Sequence, residues 1–345
     1  MALELNVTNK IVHDNLNNDI RTLLQPKNWI INGMFDVWQR GTSQTSSGYG
    51  SDDRWSNNVA GATQTVSRQA FTLGQTTVPN NPKYFSRTVV VDGGGVGTTV
   101  EKIHKIEDVT KFSSKTLTIS FWAKADANKN MSLEVYRYYG VGGSGYDLGI
   151  VVQKVALTTS WQRFTKTFTL PSVSGKTIGE NSATHVSFWF DAGSNYASRT
   201  DSLGNQSGTF DIANVSLVEG SVAVECQNQP YADVLRDCQR YYRRYGATSP
   251  YTQFGNTGYC ASATEFNLSF VFDTPMRITP TMSYYGLIVH DIHTAFRTIT
   301  SITLDATSSP ERARLKVYST SLTQFKVSDL VAQDATSFIE FSAEL

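Results

Sequence analysis

From Trp29 to Leu217 the chain consists of short runs in which apolar and polar residues alternate, separated by Gly, Ser, Asn and Thr. Period two is the repeat of a half-buried strand, and a succession of such runs between turn residues belongs to a β-sandwich or barrel. In TLTISFWAK, Leu117, Ile119, Phe121 and Ala123 share one phase, and Thr118, Ser120, Trp122 and Lys124 the other. In VSFWF, Val186, Phe188 and Phe190 take the apolar phase and leave Trp189 with Ser187. In SLEVYRYY, Leu133 and Val135 turn inward, so Glu134, Tyr136 and Tyr138 face the other way. Two tryptophans and two tyrosines therefore stand on the polar phase of three strands.

Rings placed among serines and threonines suit a saccharide, because a ring covers the apolar C–H face of a pyranose while neighbouring polar groups bond its hydroxyls. Trp122, Trp189, Tyr136, Tyr138 and Glu134 are the candidate ligand-binding residues. A second explanation fits the same pattern: the rings lie beneath a long loop such as Gly193 to Ser207, or between subunits, where Tyr and Trp are also enriched. Alternation assigns a side of the strand and leaves open what covers it.

The flanks read differently. Val12, Leu16, Ile20 and Leu23 recur every three or four residues, the stripe of an amphipathic helix that Thr8 caps and Pro26 follows. A lone helix of about 15 residues is marginal in water, so the stripe needs a partner: its own globular body, copies of itself, or a larger particle. Tyr231, Leu235, Cys238, Tyr242 and Tyr245 predict a connector helix with Pro230 at its first turn and Arg243 and Arg244 at its carboxyl end. Beyond it, EFNLSFVFDTPMRITPTMSYY, RLKVYSTS and SFIEFSAEL alternate again, with Phe266, Leu268, Phe270 and Phe272 in one phase.

Composition excludes several classes. Lysine plus arginine equal aspartate plus glutamate at thirty each, so no long-range field draws nucleic acid or an anionic membrane. Met1-Ala2-Leu3-Glu4 carries neither a basic nor an apolar leader region, and no run approaches the roughly 18 apolar residues of a span, so a soluble chain made in a cytoplasm is expected. Cys226, Cys238 and Cys260 are odd in number and form no CxxC pair, which reads as reduced core thiols. His290 and His293 in HDIH would point to opposite faces of a strand. DGGGVG, Asp92 to Gly97, lacks the GK[ST] ending of a phosphate loop, and GGSGYDLG, Gly142 to Gly149, lacks the spacing of a nucleophile elbow and reads as a flexible loop. No catalytic residue, metal ligand or cofactor is assigned, and the expected protein is not an enzyme.

NWIINGMFDVWQRG leading to DRW, then KTLTISFWAKA, SWQRFTKTFTLPS, GTFDIANVSLVEG and PYADVLRDCQRYYRRY, resemble in order and spacing tail-associated structural proteins of tailed bacteriophages. Their main domain is similar to a carbohydrate-binding-module jelly roll. The resemblance spans residues 28 to 245, and PMRITPTM and SAEL add a shorter match to carboxyl-terminal domains of phage tail proteins. It implies a virion component, commonly a trimeric fibre or receptor-binding part that meets a host-surface glycan. Many such modules carry adjacent aspartates near the last strand, often linked to a structural calcium. This chain has Ala213-Asn214 after Asp211, so no metal is expected there.

The expected layout is mainly β: an N-terminal arm over 1–27, a jelly-roll β-sandwich over 28–220, a linker and connector helix over 221–246, and a smaller C-terminal β domain over 247–345. The expected role is a virion protein made in the host bacterial cytoplasm, a tail fibre or tip that attaches to host glycan. Its expected partners are other virion proteins through Val12, Leu16, Ile20 and Leu23 of the arm, and two further copies in a homotrimer, without nucleic acid or membrane insertion. The alternatives are a capsid or tail decoration or adaptor that binds no glycan, and a surface-polysaccharide depolymerase. In the first strand, Trp29, Ile31, Phe35 and Trp38 read as core, with Arg54 and Trp55 locking the following loop onto the sandwich.

Overall fold

The β-branched and aromatic runs form strands throughout the structure, a computed structural model that describes residues 26–291 and 295–345. Val12, Leu16, Ile20, Leu23 and His293 lie outside the described residues. The first eleven strands are β1 (Ser43–Gln44), β2 (Trp55–Ala60), β3 (Thr63–Ala70), β4 (Tyr84–Val91), β5 (Thr99–Glu107), β6 (Thr116–Ala125), β7 (Lys129–Tyr138), β8 (Tyr146–Leu157), β9 (Gln162–Thr169), β10 (Ala183–Ala192) and β11 (Gly208–Glu219). They make two antiparallel sheets: six strands in the order β1-β3-β4-β11-β6-β9, and five in the order β2-β5-β10-β7-β8. The sheets face each other as a jelly-roll sandwich whose core holds Phe121 edge-on to Phe188 at 4.9 Å. The inward phases of β6, β7 and β10 are those of the alternation: Ile119, Leu133, Val135, Val186 and Phe188 are all buried.

The first expected strand does not form. Residues 31–34 turn, and Asn32 and Phe35 take left-handed φ of 59° and 56°. Asn32 makes the turn possible by accepting the Val37 N–H at 3.0 Å and donating to the carbonyls of Val37 and Asp53 at 2.9 and 3.0 Å. Gly33 is required because a Cβ there would strike the Val215 carbonyl. Phe35 and Trp38 still enter the core, with Phe35 stacked on Trp55 at 5.2 Å, whereas Trp29 and Ile31 are only half-buried.

The connector helix α2 (Tyr231–Gln239, following the single-turn α1, Ala197–Thr200) stops four residues short of Arg243. Val234 and Cys238 pack on Val37. Tyr242 to Gly246 instead form strand β12, whose pairing with the last strand buries Tyr242 and Arg243. The remaining strands are β13 (Gln253–Cys260), β14 (Glu265–Val271), β15 (Thr281–Tyr285), β16 (Leu287–Asp291), β17 (Ala295–Leu304), β18 (Arg312–Ser319), β19 (Val327–Ala332) and β20 (Phe338–Ser342). Strands β13-β14-β18-β17-β16-β19 close a barrel, and β12-β20-β15 form a small sheet beside it. Phe266, Leu268, Phe270 and Phe272 are buried in this second core with Phe341. Cys226, Cys238 and Cys260 are free and buried.

The Asp52-Asp53-Arg54 run ties the pieces together. Asp52 takes the Lys102 ammonium at 2.6 Å and the Ser51 and Ser86 hydroxyls at 2.8 and 2.9 Å inside the sandwich. Asp53 accepts the Gln39 N–H at 2.9 Å, and burial pushes its carboxyl up to about 6. Arg54, wholly buried, ion-pairs with Glu344, donates to the Lys105 carbonyl at 2.7 Å and lies 3.4 Å over the Tyr241 ring. Arg40 reaches the same Glu344 at 3.2 Å. The expected lock is therefore a clamp on the segment after β20.

Candidate functional site

Register across the five-stranded sheet sets its outer face row by row. Tyr146, Tyr138, Ala183 and Glu107 make the first row; Tyr136, His185 and Lys105 the second. Val152, Glu134, Ser187, Ile103 and Ser56 make the third, and Lys154, Ser132, Trp189, Glu101 and Asn58 the fourth. Tyr136, Tyr138, Glu134 and Trp189 thus share one face. Trp122 does not: β6 belongs to the other sheet, so its polar phase opens on the opposite side of the sandwich. There the Trp122 indole donates to Glu225 at 3.1 Å and packs against the Val78, Phe85 and Ala213 cluster. The single aromatic platform implied by equal phases is corrected accordingly, since phase is local while sheet membership depends on pairing with distant strands.

The fourth row is closed. The 193–207 loop, carrying α1, lies over it, and Trp189 is wholly buried against Tyr196, with ring centroids 5.4 Å apart. Glu134 accepts the Trp189 indole N–H at 3.0 Å, a bidentate pair from Arg199 at 2.9 Å each, and the Gly149 N–H at 2.9 Å. The Arg199 guanidinium stands 4.9 Å from the Trp189 ring and 5.2 Å from that of Tyr136. Glu101 is held by Ser187 at 2.6 Å and Asn58 at 2.9 Å, and burial raises its pKa. Both carboxylates are committed to holding the fold.

The first two rows are different. Tyr138 is half-buried and stacks on Tyr146 at 4.7 Å and 26°, and Tyr146 is 56% exposed. In the next row His185 lies 4.5 Å from the Tyr136 ring, 5% exposed, with both ring nitrogens buried and neither hydrogen-bonded. Burial, with Lys105 and Arg199 adding to it, holds its pKa down at about 3, so the ring is neutral and offers one donor and one acceptor. Both nitrogens are shut off from solvent, so the part of this face open to a polyhydroxylated ring is the Tyr138–Tyr146 stack. Tyr146 and His185 escaped the sequence reading. Tyr146 lies in the glycine-rich stretch read as a loop, where β8 in fact begins, and His185 was in no motif. The available signal was that His185 keeps step with Ser187 and Trp189.

At the last-strand position linked to calcium in similar modules, the residues do not fit a metal. Asp211 is taken by Arg87 at 2.7 and 2.9 Å, and Asn214 by the Pro79 carbonyl at 3.0 Å and the Cys226 N–H at 2.7 Å.

Residues 74–180 match a family model described as a carbohydrate-binding domain. No curated protein sequence matches the chain. Among solved structures, one described as "CBM4 structure and function" is similar at 19% identity and TM-score 0.32, covering 55% of this chain and 98% of its own. The family 11 carbohydrate-binding module from Clostridium thermocellum, in complex with a β-1,3-1,4-mixed-linked tetrasaccharide, is 13% identical at TM-score 0.32, covering 53% and 98%. The enzymatically active domain of bacteriophage CBA120 tailspike protein 4 is 13% identical at TM-score 0.33, covering 56% of this chain and 21% of that one. With the two-sheet topology, the family match describes a jelly-roll domain within the chain that is similar to carbohydrate-binding modules.

Proposed function

We propose that this chain is a non-enzymatic bacteriophage virion protein, a tail fibre or tip component, whose jelly roll holds a host-surface glycan on the outer face of the five-stranded sheet. The observation that carries the glycan reading is the Tyr138–Tyr146 stack, with Tyr146 exposed, on strands β7 and β8 of the matched 74–180 region. The virion reading rests on the ordered sequence resemblance over residues 28 to 245. Anchoring through residues 1–27, threefold assembly and location in the virion belong to that same reading. Binding without hydrolysis is favoured because Glu101 and Glu134 are tied up in ion pairs and hydrogen bonds.

The test is binding of the purified chain to a panel of bacterial surface polysaccharides and to whole cells, with Tyr146→Ala alongside. Tyr146 is exposed, so the variant should keep its melting temperature while its affinity falls by about 1–3 kcal/mol, roughly 5- to 150-fold. Undiminished binding by the folded variant would remove this face as the site. The decoration or adaptor role is favoured by one observation, the burial of Trp189 and the covering of Trp122. It predicts incorporation into particles with no binding to any glycan in the panel.

A further inference from the structure

In the C-terminal barrel, β13 pairs with β14 only at Tyr259–Asn267 and Cys260–Phe266, after which β14 runs on along β18 alone. On its other side β13 bulges: Phe254 pairs with Leu330 and Gly258 with Ser328, so Gly255, Asn256 and Thr257 stand against the single residue Asp329. Gly258 lets β13 and β14 close up where they still meet, since a Cβ there would strike the Asn267 carbonyl. Where they part, a hollow of about 550 Å3 opens on the outer face of the barrel, lined by Asn256, Thr257, Tyr259, Ser269, Arg312 and Arg314. That size is ordinary for a small-ligand site, roughly 300–1,000 Å3.

The charge of the hollow is one-sided. Ala313 and Leu315 are wholly buried, so Arg312 and Arg314, on the alternate positions of β18, both turn outward, about 7 Å apart along the strand. No Asp or Glu lines the hollow among the described residues. Each of the other arginines among those residues is held by a carboxylate, a main-chain carbonyl or a ring, whereas Arg312 and Arg314 make no ion pair there. Lys316, the next cation of the same row, marks the contrast, being taken by Asp305 at 3.0 Å. Glu311, beside Arg312 in the chain, is exposed and accepts the Ser309 hydroxyl at 2.7 Å. Two neighbouring guanidiniums without a counter-charge repel, and an anion that both can bond through their planar forks relieves the repulsion.

The remaining lining suits a sugar better than a bare ion. The Tyr259 ring is 48% exposed, in register with Asn267 and Val327, and gives an apolar surface for a pyranose. Around it the Asn256 amide and the Ser269 hydroxyl can bond sugar hydroxyls, and Thr257, which donates to Asp329 at 2.7 Å, keeps its oxygen as an acceptor.

We infer that this hollow binds an acidic saccharide, a sugar carrying a carboxylate or phosphate, with Arg312 and Arg314 on the acid group and Tyr259 against the ring. The site shares no residue with the Tyr138–Tyr146 face of the sandwich.

The test is calorimetry of the full chain with trigalacturonic acid and mannose 6-phosphate as probes and the uncharged methyl ester of the first as control. At least one acidic probe should bind, more weakly as NaCl is raised, and the ester should bind about tenfold more weakly or not at all. The double variant Arg312→Gln, Arg314→Gln should melt like the parent and lose affinity for the acidic probe by about tenfold or more. Tyr146→Ala should leave that affinity unchanged, which separates this site from the sandwich face. The site is overturned if neither acidic probe gives saturable heat up to about 10 mM, tenfold above a Kd of about 1 mM, or if the double variant binds as the parent does. Loss of the acidic probe in Tyr146→Ala would overturn it as well, by moving that probe to the sandwich. A double variant that self-associates, with a parent that binds neither probe, would assign the arginines instead to guarding the open edge of β14 against other chains.

Discussion

Trp189 donates its indole N–H to Glu134 at 3.0 Å, and Arg199 closes over both, so the outward ring of β10 is a second small core. Trp189→Ala should therefore cost about 3–5 kcal/mol of unfolding free energy, as loss of a buried aromatic does. Trp189→Phe keeps most of the packing and leaves Glu134 with Arg199 and Gly149, so its cost should be about 1 kcal/mol. Urea unfolding of the two variants checks the order; a near-neutral Trp189→Ala would mean that the 193–207 loop does not cover the ring in solution.

Trp122 supplies the matching control on the opposite sheet. Its ring packs against the Val78, Phe85 and Ala213 cluster and bonds Glu225, away from Tyr138 and Tyr146. We expect Trp122→Ala to lower stability by about 2–4 kcal/mol and, where it folds, to leave glycan affinity at the parental value. A loss of affinity in a folded Trp122→Ala would move the glycan site to the six-stranded sheet.

The clamp between the sandwich and the segment after β20 predicts a strong asymmetry. Arg54 is wholly buried, and Glu344 is its anionic partner. Glu344→Gln leaves a buried guanidinium without a counter-charge and should cost about 3–5 kcal/mol, whereas adding Arg54→Met should return much of that loss. Denaturant unfolding of the single and double variants measures the difference. Additive costs would show that the pair contributes no coupling.

The faces of individual strands were legible in the sequence because alternation is local: Phe121, Phe188 and Val135 point inward as the pattern requires. Which sheet a strand joins was not legible, and this is why Trp122 was grouped with Trp189. The 230–245 stripe was read as one helix because Tyr242 and Tyr245 also fit a spacing of three or four, but pairing of β12 with β20 overrides that weak preference. The Asn32 turn was missed because the apolar run around it reads as a strand, while its left-handed residues answer to side-chain bonds made from Asn32 to Val37 and Asp53. Tyr146 was hidden by the flexibility that three neighbouring glycines lend on paper.

His185 gives the stability of the sandwich a pH dependence of known sign. Lys105 on β5, Tyr136 on β7 and Arg199 on α1 surround it, and burial first, then the two cations, depress its pKa to about 3 from an ordinary 6.5. The unfolded chain binds a proton below pH 6.5 that the folded chain refuses until about pH 3, so stability is full above 6.5 and falls as the pH drops between these values. His104 is depressed in the same direction by burial and Arg54, while Asp53, raised to about 6, acts oppositely by taking its proton first in the folded state. Both remain in a His185→Phe variant, which keeps a ring against Tyr136 and cancels them in the comparison. The slope due to His185 is about 1.4 kcal/mol per pH unit, so between pH 7 and pH 5 the parent should lose on the order of 2 kcal/mol relative to His185→Phe. Unfolding free energies of both proteins from pH 8 to 4.5 test this: the curves should run parallel above 6.5 and converge or cross below it, and curves parallel throughout would mean that His185 titrates normally in the folded chain.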